Sequence, residues 1–343
     1  MSMDFRRRLP MPIEVKEELP LSRRMAVAKA ARDWAVGRVL KGEDGRKLLI
    51  VGPCSADRED AIVEYCVRLA RLQEKVSDQL IIIPRIYTNK PRTTGEGYKG
   101  MFHQPDPHGG SDMLEGIKAI RRLNLRVVSE TGLFAADEML YPASYRFLSD
   151  LLSYVAVGAR SVENQEHRLT ASGLDIPVGM KNPTGGSVDV LLNSVNAAQR
   201  SHMFVYRNWE VVTTGNPLAH VILRGYTELD GSGKSNYGFD DLVNLCEKYG
   251  RRDLVNRSFI VDCNHSNSGK RFEEQPRIVR EVLDSCSRSE AVSSMFKGFM
   301  IESYLLDGSQ KVGGGVYGRS ITDPCLGWEK TEHLVLELAG RLS

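Results

Sequence analysis

Residues 46–87 read RKLLIVGPCSADREDAIVEYCVRLARLQEKVSDQLIIIPRIY. The run LLIVG (48–52) is short, continuous and apolar, which suits a strand buried on both faces. Residues 60–75 then space their apolar side chains at helical intervals, and LIIIP (80–84) is apolar again. A connection of that length cannot be a hairpin, so the two strands are predicted to run parallel with a helix crossing between them. The alternation continues to the end of the chain. Further apolar runs are LRVVS (125–129), VAVG (155–158), IPVGM (176–180), HVILRG (220–225), FIVD (259–262) and FMIES (299–303). Helical stretches are predicted at 60–75, 112–123, 142–152, 188–198, 240–249 and 273–288. Eight strand–helix units predict an α/β fold, a (β/α)8 TIM barrel, with an open doubly wound sheet as the alternative. Pro84 has no N–H to give a sheet, so the second strand is expected to end or kink there.

The flanks read differently. Residues 1–20 mix charge and proline and predict an extended arm. A helix is predicted over 21–41, with Val27, Ala31, Ala35 and Val39 as a stripe, Trp34 beside it and Gly42 as a stop. The expected organisation is an N-terminal extension (1–45) and a barrel domain (46–343). Residues around 200–220 alternate like a β-hairpin inserted before the sixth strand.

With 46 basic and 44 acidic residues among 343, the net charge is +2. That balance predicts neither nucleic acid nor a membrane surface as partner. Six cysteines lie scattered without a CxxC pair, which fits a reducing cytoplasm better than a secreted disulfide framework. No apolar stretch reads as a signal peptide or a membrane span.

In a barrel of this class the chemistry gathers at the C-terminal ends of the strands. There the predicted strands carry Cys54, Arg85, Glu130, Arg160, Lys181, Arg224, His265 and Glu302. Two chemical groups emerge. Arg85, Lys90, Arg92, Arg160, Lys181 and Arg224 form a cationic set that only a multiply anionic ligand would neutralise. Glu138 and Glu163 could compensate part of it. Cys54, His265, Glu302 and Asp323 offer a thiolate, an imidazole and two carboxylates, a mixed set suited to Mn, Fe, Co or Zn. From pattern alone, a buried cysteine also reads as a small core residue and a histidine as a satisfied hydrogen-bonding group.

The strings GPCS (52–55), KPRTT (90–94), GAR (158–160), PVGMKN (177–182), ILRG (222–225), NHSNSGK (264–270), MIES (300–303) and SITDPCLGW (320–328) closely resemble the type I 3-deoxy-D-arabino-heptulosonate 7-phosphate (DAHP) synthases. The resemblance runs in family order from about Leu48 to Leu338. It implies a metal-dependent, oligomeric (dimeric or tetrameric) barrel that condenses phosphoenolpyruvate with erythrose 4-phosphate at the start of aromatic amino-acid synthesis. Carried over residue by residue, it implies that Cys54, His265, Glu302 and Asp323 ligate one divalent metal, Mn being favoured for assay. It places phosphoenolpyruvate on Arg85, Lys90, Arg160, Lys181 and Arg224, with the Ala159 amide near its phosphate and Glu138 beside it. Erythrose 4-phosphate falls to Lys90, Pro91, Arg92 and Thr93. Lys90, His265 and Cys54 are the expected catalytic groups.

Two rivals are weighed against this. A 3-deoxy-D-manno-octulosonate 8-phosphate synthase would carry an Asn-containing motif in place of KPRTT. A non-catalytic anion-binding relative would not be expected to keep every ligand and cation. The hairpin at 203–214 looks shorter than in feedback-inhibited enteric enzymes, and Tyr145 and Asp175 stand where those use proline and serine. Weak or altered inhibition by phenylalanine or tyrosine is expected.

Overall fold

The computed structural model describes residues 2–343. Eight parallel strands form one sheet: β1 (Lys47–Gly52), β2 (Leu80–Pro84), β3 (Ala135–Glu138), β4 (Leu152–Val157), β5 (Val178–Lys181), β6 (Ala219–Leu223), β7 (Phe259–Asp262) and β8 (Phe296–Glu302). Their order is β2-β1-β8-β7-β6-β5-β4-β3. A parallel bridge between Arg85 and Ala136, with the Ile86 N–H donating to the Ala136 carbonyl at 2.9 Å, joins β2 to β3 and closes the barrel. β2 does end at Pro84, which pairs with Val51.

Side chains alternate inward and outward along each strand. The inward set from the strands includes Leu48, Ile50, Ile81, Ile83, Ala136, Tyr154, Ala156, Ile222, Ile260 and Met300, all buried in one cluster. The outward set packs under the helices in a second, larger cluster. Stepping two residues from the inward set toward the C-terminal ends leads to Gly52, Arg85, Glu138, Gly158, Arg224, Asp262 and Glu302. Lys181 lies at the matching end of β5. The apolar layers thus carry a polar layer directly above them. Below, Val36, Val39 and Leu40 of the helix Arg23–Lys41 join the inward cluster and close the barrel's other end.

The third predicted strand is wrong. LRVVS (125–129) belongs to a helix, Met113–Thr131. Ile117, Ile120, Leu123, Val127 and Val128 recur at helical spacing on its buried side. Asp112 caps its start through Leu114 and Glu115 N–H groups, and Gly132 ends it at φ +69°. Glu130 therefore sits on an outer helix, paired with Arg126 at 2.7 Å, and not at a strand end. The true β3 is AADE, which has no apolar run to betray it. Its buried Asp137 is held by the Thr88 N–H (2.9 Å) and hydroxyl (2.6 Å). The helix expected at 142–152 stops at Tyr145, and β4 begins at Leu152.

The N-terminal segment is not a simple arm, for Pro12–Glu18 is helical with Val15 buried. In the helix Arg23–Lys41 the stripe is rotated from expectation. Val27 and Trp34 are exposed, whereas Val36 and Val39 are buried. Their neighbours Lys29 and Asp33 form an ion pair on the inner side, and Asp33 takes a hydrogen bond from Ser153 of β4. The inserted hairpin pairs Met203–Tyr206 with Trp209–Val212, and Arg207 and Asn208 both turn at positive φ. Among the described residues no helix is long and apolar enough to cross a membrane.

Candidate active site at the barrel mouth

A cavity of about 570 Å³ opens above the polar layer. It is lined by Cys54, Arg85, Lys90, Pro91, Arg92, Thr93, Glu138, Ala159, Arg160, Lys181, Arg224, His265 and Asp323. Glu302 lies at its edge as the last residue of β8, fully buried. Residues spread over about 270 positions of chain meet here because each follows, or ends, one of the eight strands.

One side of the cavity gathers ligand-type atoms. Cys54, Glu302 and Asp323 place a sulfur and two carboxylate oxygens within 4.8 Å of one another. The Cys54 thiol donates to Asp323 Oδ2 at 3.3 Å. His265 turns Nε2 toward Glu302 Oε1 at 3.9 Å. The Lys90 ammonium lies 2.5 Å from Cys54 Sγ and 2.9 Å from Asp323 Oδ2, so a cation already occupies the angle between two of these groups. Glu302 Oε1 is buried without an aligned hydrogen bond, although Arg85 Nη2 stands 2.9 Å away. A thiol, an imidazole and two carboxylates with one oxygen left over fit a divalent metal.

Charge and burial set the protonation states. Burial, followed by the Glu302 charge, pushes the Cys54 thiol up to about 11, with Lys90 pulling the other way. A cation bound at the sulfur would reverse that, since only the thiolate ligates. Burial also opposes the charge on Lys90, but Cys54, Asp323 and Glu302 outweigh it and keep the ammonium protonated. Burial works against Asp323 as well. The charge and hydrogen bond of Lys90, then Lys270 at 3.1 Å, overcome it and hold the carboxyl far below its usual range.

The other side is cationic. Arg85 is fully buried, paired with Glu302, bonded to the Pro53 carbonyl, and stacked 3.7 Å from the centre of the Tyr87 ring. Lys181, also buried, faces Asp262 Oδ2 at 3.3 Å and Glu138 Oε2 at 3.8 Å. Glu138 lies against Gly158, where a Cβ would fall 2.5 Å from Oε1, so a larger residue at the start of GAR would displace the carboxylate. Arg160 donates to the Thr93 hydroxyl at 2.6 Å and Arg92 to the Tyr98 carbonyl at 2.8 Å. Arg92, Arg160 and Arg224 have no carboxylate within 4 Å among the described residues, and burial lowers Arg224 from its usual value. Three guanidinia without counter-ions around one cavity are a phosphate site in waiting.

Several residues here were not singled out from sequence: Tyr87, Asp262, Asn264 and Lys270. Lys270 and Asn264 lie inside the NHSNSGK string, and Asp262 ends an apolar run, so position along the chain could have flagged them. Glu163, weighed as a compensating charge, does not line the cavity.

A sequence model described as the DAHP synthetase I family matches residues 12–336. A Trp-sensitive phospho-2-dehydro-3-deoxyheptonate aldolase of Escherichia coli O6:H1 is 38% identical over 339 residues, covering 96% of this chain and 94% of that protein. A Phe-sensitive one of Escherichia coli K12 is 36% identical over 336 residues, covering 96% and 93%. Among solved structures, a phospho-2-dehydro-3-deoxyheptonate aldolase from Francisella tularensis superposes with a TM-score of 0.91 at 29% identity, covering 100% of this chain and 98% of that one.

Proposed function

The chain belongs to the DAHP synthetase I family, and from that premise we propose that Cys54, His265, Glu302 and Asp323 hold one divalent metal beside cations that seat both substrates. The enzyme forms a C–C bond: it condenses phosphoenolpyruvate with erythrose 4-phosphate and water to give DAHP and phosphate, the first step of aromatic biosynthesis. When bound, the metal (Mn, Fe, Co or Zn) supplies Lewis-acid polarisation of the aldehyde oxygen of erythrose 4-phosphate. Arg85 and Lys181 at the cavity floor take the carboxylate of phosphoenolpyruvate. Arg160, Arg224 and the Ala159 amide take its phosphate, with Glu138 holding Lys181 in place. Arg92 and Thr93, after the fixed ring of Pro91, take the sugar phosphate. The C3 carbon of phosphoenolpyruvate attacks the aldehyde carbon. Lys90, kept protonated by its neighbours, gives a proton to the alkoxide that forms. Water adds at C2, losing one proton to match the one Lys90 gave; the C2–O bond to phosphate then breaks as the new hydroxyl becomes the ketone, its proton leaving with the phosphate.

One observation supports this reading above the others: the sulfur and carboxylate oxygens of Cys54, Glu302 and Asp323 cluster against a cavity holding three unpaired guanidinia. Exposed Trp34, Met203, Val205 and Trp209 support an assembly of two or four copies. The test is consumption of phosphoenolpyruvate with erythrose 4-phosphate, then with arabinose 5-phosphate, each with and without chelator. Turnover confined to erythrose 4-phosphate and restored by Mn is expected. Equal turnover with arabinose 5-phosphate, or full activity in chelator, would defeat the proposal.

A further inference from the structure

Beside the four ligand-type side chains lies a short turn that the reaction above does not use, Asp262–His265. We propose that Asn264 and Asp262 are positioning residues for the metal, Asn264 aiming Glu302 and Asp262 aiming His265. This rests on the metal reading of the same site.

Asn264 is buried and fixed on every side. Its side-chain amide donates to Glu302 Oε2, and its Oδ1 accepts from the Ser268 hydroxyl at 2.9 Å. Its backbone N–H donates to Asp262 Oδ1 at 3.0 Å. A carboxylate only accepts, so the NH2 end of the amide must face Glu302. With Oε2 held in this way, Oε1 is the oxygen without an aligned hydrogen bond, and it faces both the Arg85 guanidinium at 2.9 Å and His265 at 3.9 Å.

Asp262 acts on the other ligand. Its Oδ2 lies 3.0 Å from His265 Nδ1, near it although not aligned for a hydrogen bond, and 3.3 Å from the Lys181 ammonium. A carboxylate behind Nδ1 keeps the proton on that nitrogen and leaves Nε2 with a free lone pair. The backbone between them is also committed. His265 sits at φ +54°, a conformation uncommon outside glycine, closed by the Lys270 N–H donating to its carbonyl at 2.8 Å. One turn thus orients ligands carried by two adjacent strands.

A purely structural role, satisfying buried Glu302, would change stability but leave metal affinity alone. The test uses full-length protein with Mn²⁺ alone, reading free ion by electron paramagnetic resonance, and the visible d–d spectrum of the Co²⁺ form. Asn264→Leu keeps the volume and removes the amide. We expect its Mn²⁺ dissociation constant to rise about 10–100-fold, with an altered Co²⁺ spectrum, while phosphoenolpyruvate binding without metal stays within about twofold. Asp262→Asn, which keeps an acceptor for Nδ1 but loses the charge, is expected to weaken Mn²⁺ about 10-fold and carries the test if Asn264→Leu does not fold. Affinities within about threefold of wild type and an unchanged Co²⁺ spectrum would overturn the inference. Failure of wild type itself to bind Mn²⁺ would instead bring down the metal reading.

Discussion

Arg85→Met tests how the buried charges at the barrel mouth hold one another. Arg85 and Glu302 are each buried to within about 2% of full coverage, with Nη2 and Oε1 2.9 Å apart. Removing one partner of such a pair leaves a bare charge in a poor dielectric and costs about 3–5 kcal/mol. With an unfolding entropy of about 2.1 cal/mol/K per residue, a chain of 343 residues carries roughly 0.72 kcal/mol/K. The loss then lowers the melting temperature by about 4–7 °C in chelator. Glu302 is also a proposed metal ligand, so bound Mn²⁺ should compensate part of the lost guanidinium. Metal at a hundred times its dissociation constant adds about 2.7 kcal/mol to either protein, and more to the variant if Glu302 is the shared group. Melting curves are measured for wild type and Arg85→Met in EDTA and in saturating Mn²⁺. The deficit of the variant should shrink clearly in Mn²⁺. The double variant Arg85→Met/Glu302→Met, with no buried charge left at that spot, should recover most of the stability lost in EDTA. A deficit of the same size with and without metal, or no recovery in the double variant, would refute the reasoning.

Three other outcomes are expected. Cys54→Ala should fold, copurify with little metal and turn over almost not at all, as read by metal analysis and the phosphoenolpyruvate assay; full activity would remove the sulfur from the site. His220, buried inside the barrel and bonded to the Tyr154 hydroxyl at 2.7 Å and the Leu218 carbonyl at 2.8 Å, has its pKa pushed down to about 4, chiefly by burial. The unfolded chain therefore binds a proton first as pH falls below 6.5. This histidine's contribution is complete above that pH and is lost toward pH 4, on the order of 2–3 kcal/mol between pH 7 and 4.5. Urea unfolding of wild type and His220→Asn at both pH values measures it, and equal pH sensitivity in the two would count against it. Initial rates should respond little to added phenylalanine or tyrosine, because the resemblance places Tyr145 and Asp175, which stand near one another, at positions expected to hold proline and serine in the feedback-inhibited enteric enzymes; strong inhibition would show that the effector site survives the change.

Seven of the eight strands announced themselves in the sequence, because a strand covered on both faces must be apolar along its length. β3 did not: Ala-Ala-Asp-Glu is short, small and acidic, and its acids are met by Thr88 from the loop after β2 and by Lys181 from β5. The nearby apolar run at 125–129 was claimed instead, since four or five residues cannot tell a strand from the inner face of a helix. Glu130 was misplaced with it. The reactive residues were legible one by one, as each follows a strand, and the motif strings named the family. The sequence by itself therefore determined the barrel and the family, and with the family the reaction. The tertiary structure alone decided which groups touch. Lys90 reaching Cys54 and Asp323, and Asn264 reaching Glu302, are contacts between segments that follow or end different strands. Their geometry depends on barrel closure and strand stagger, which local residue patterns do not encode.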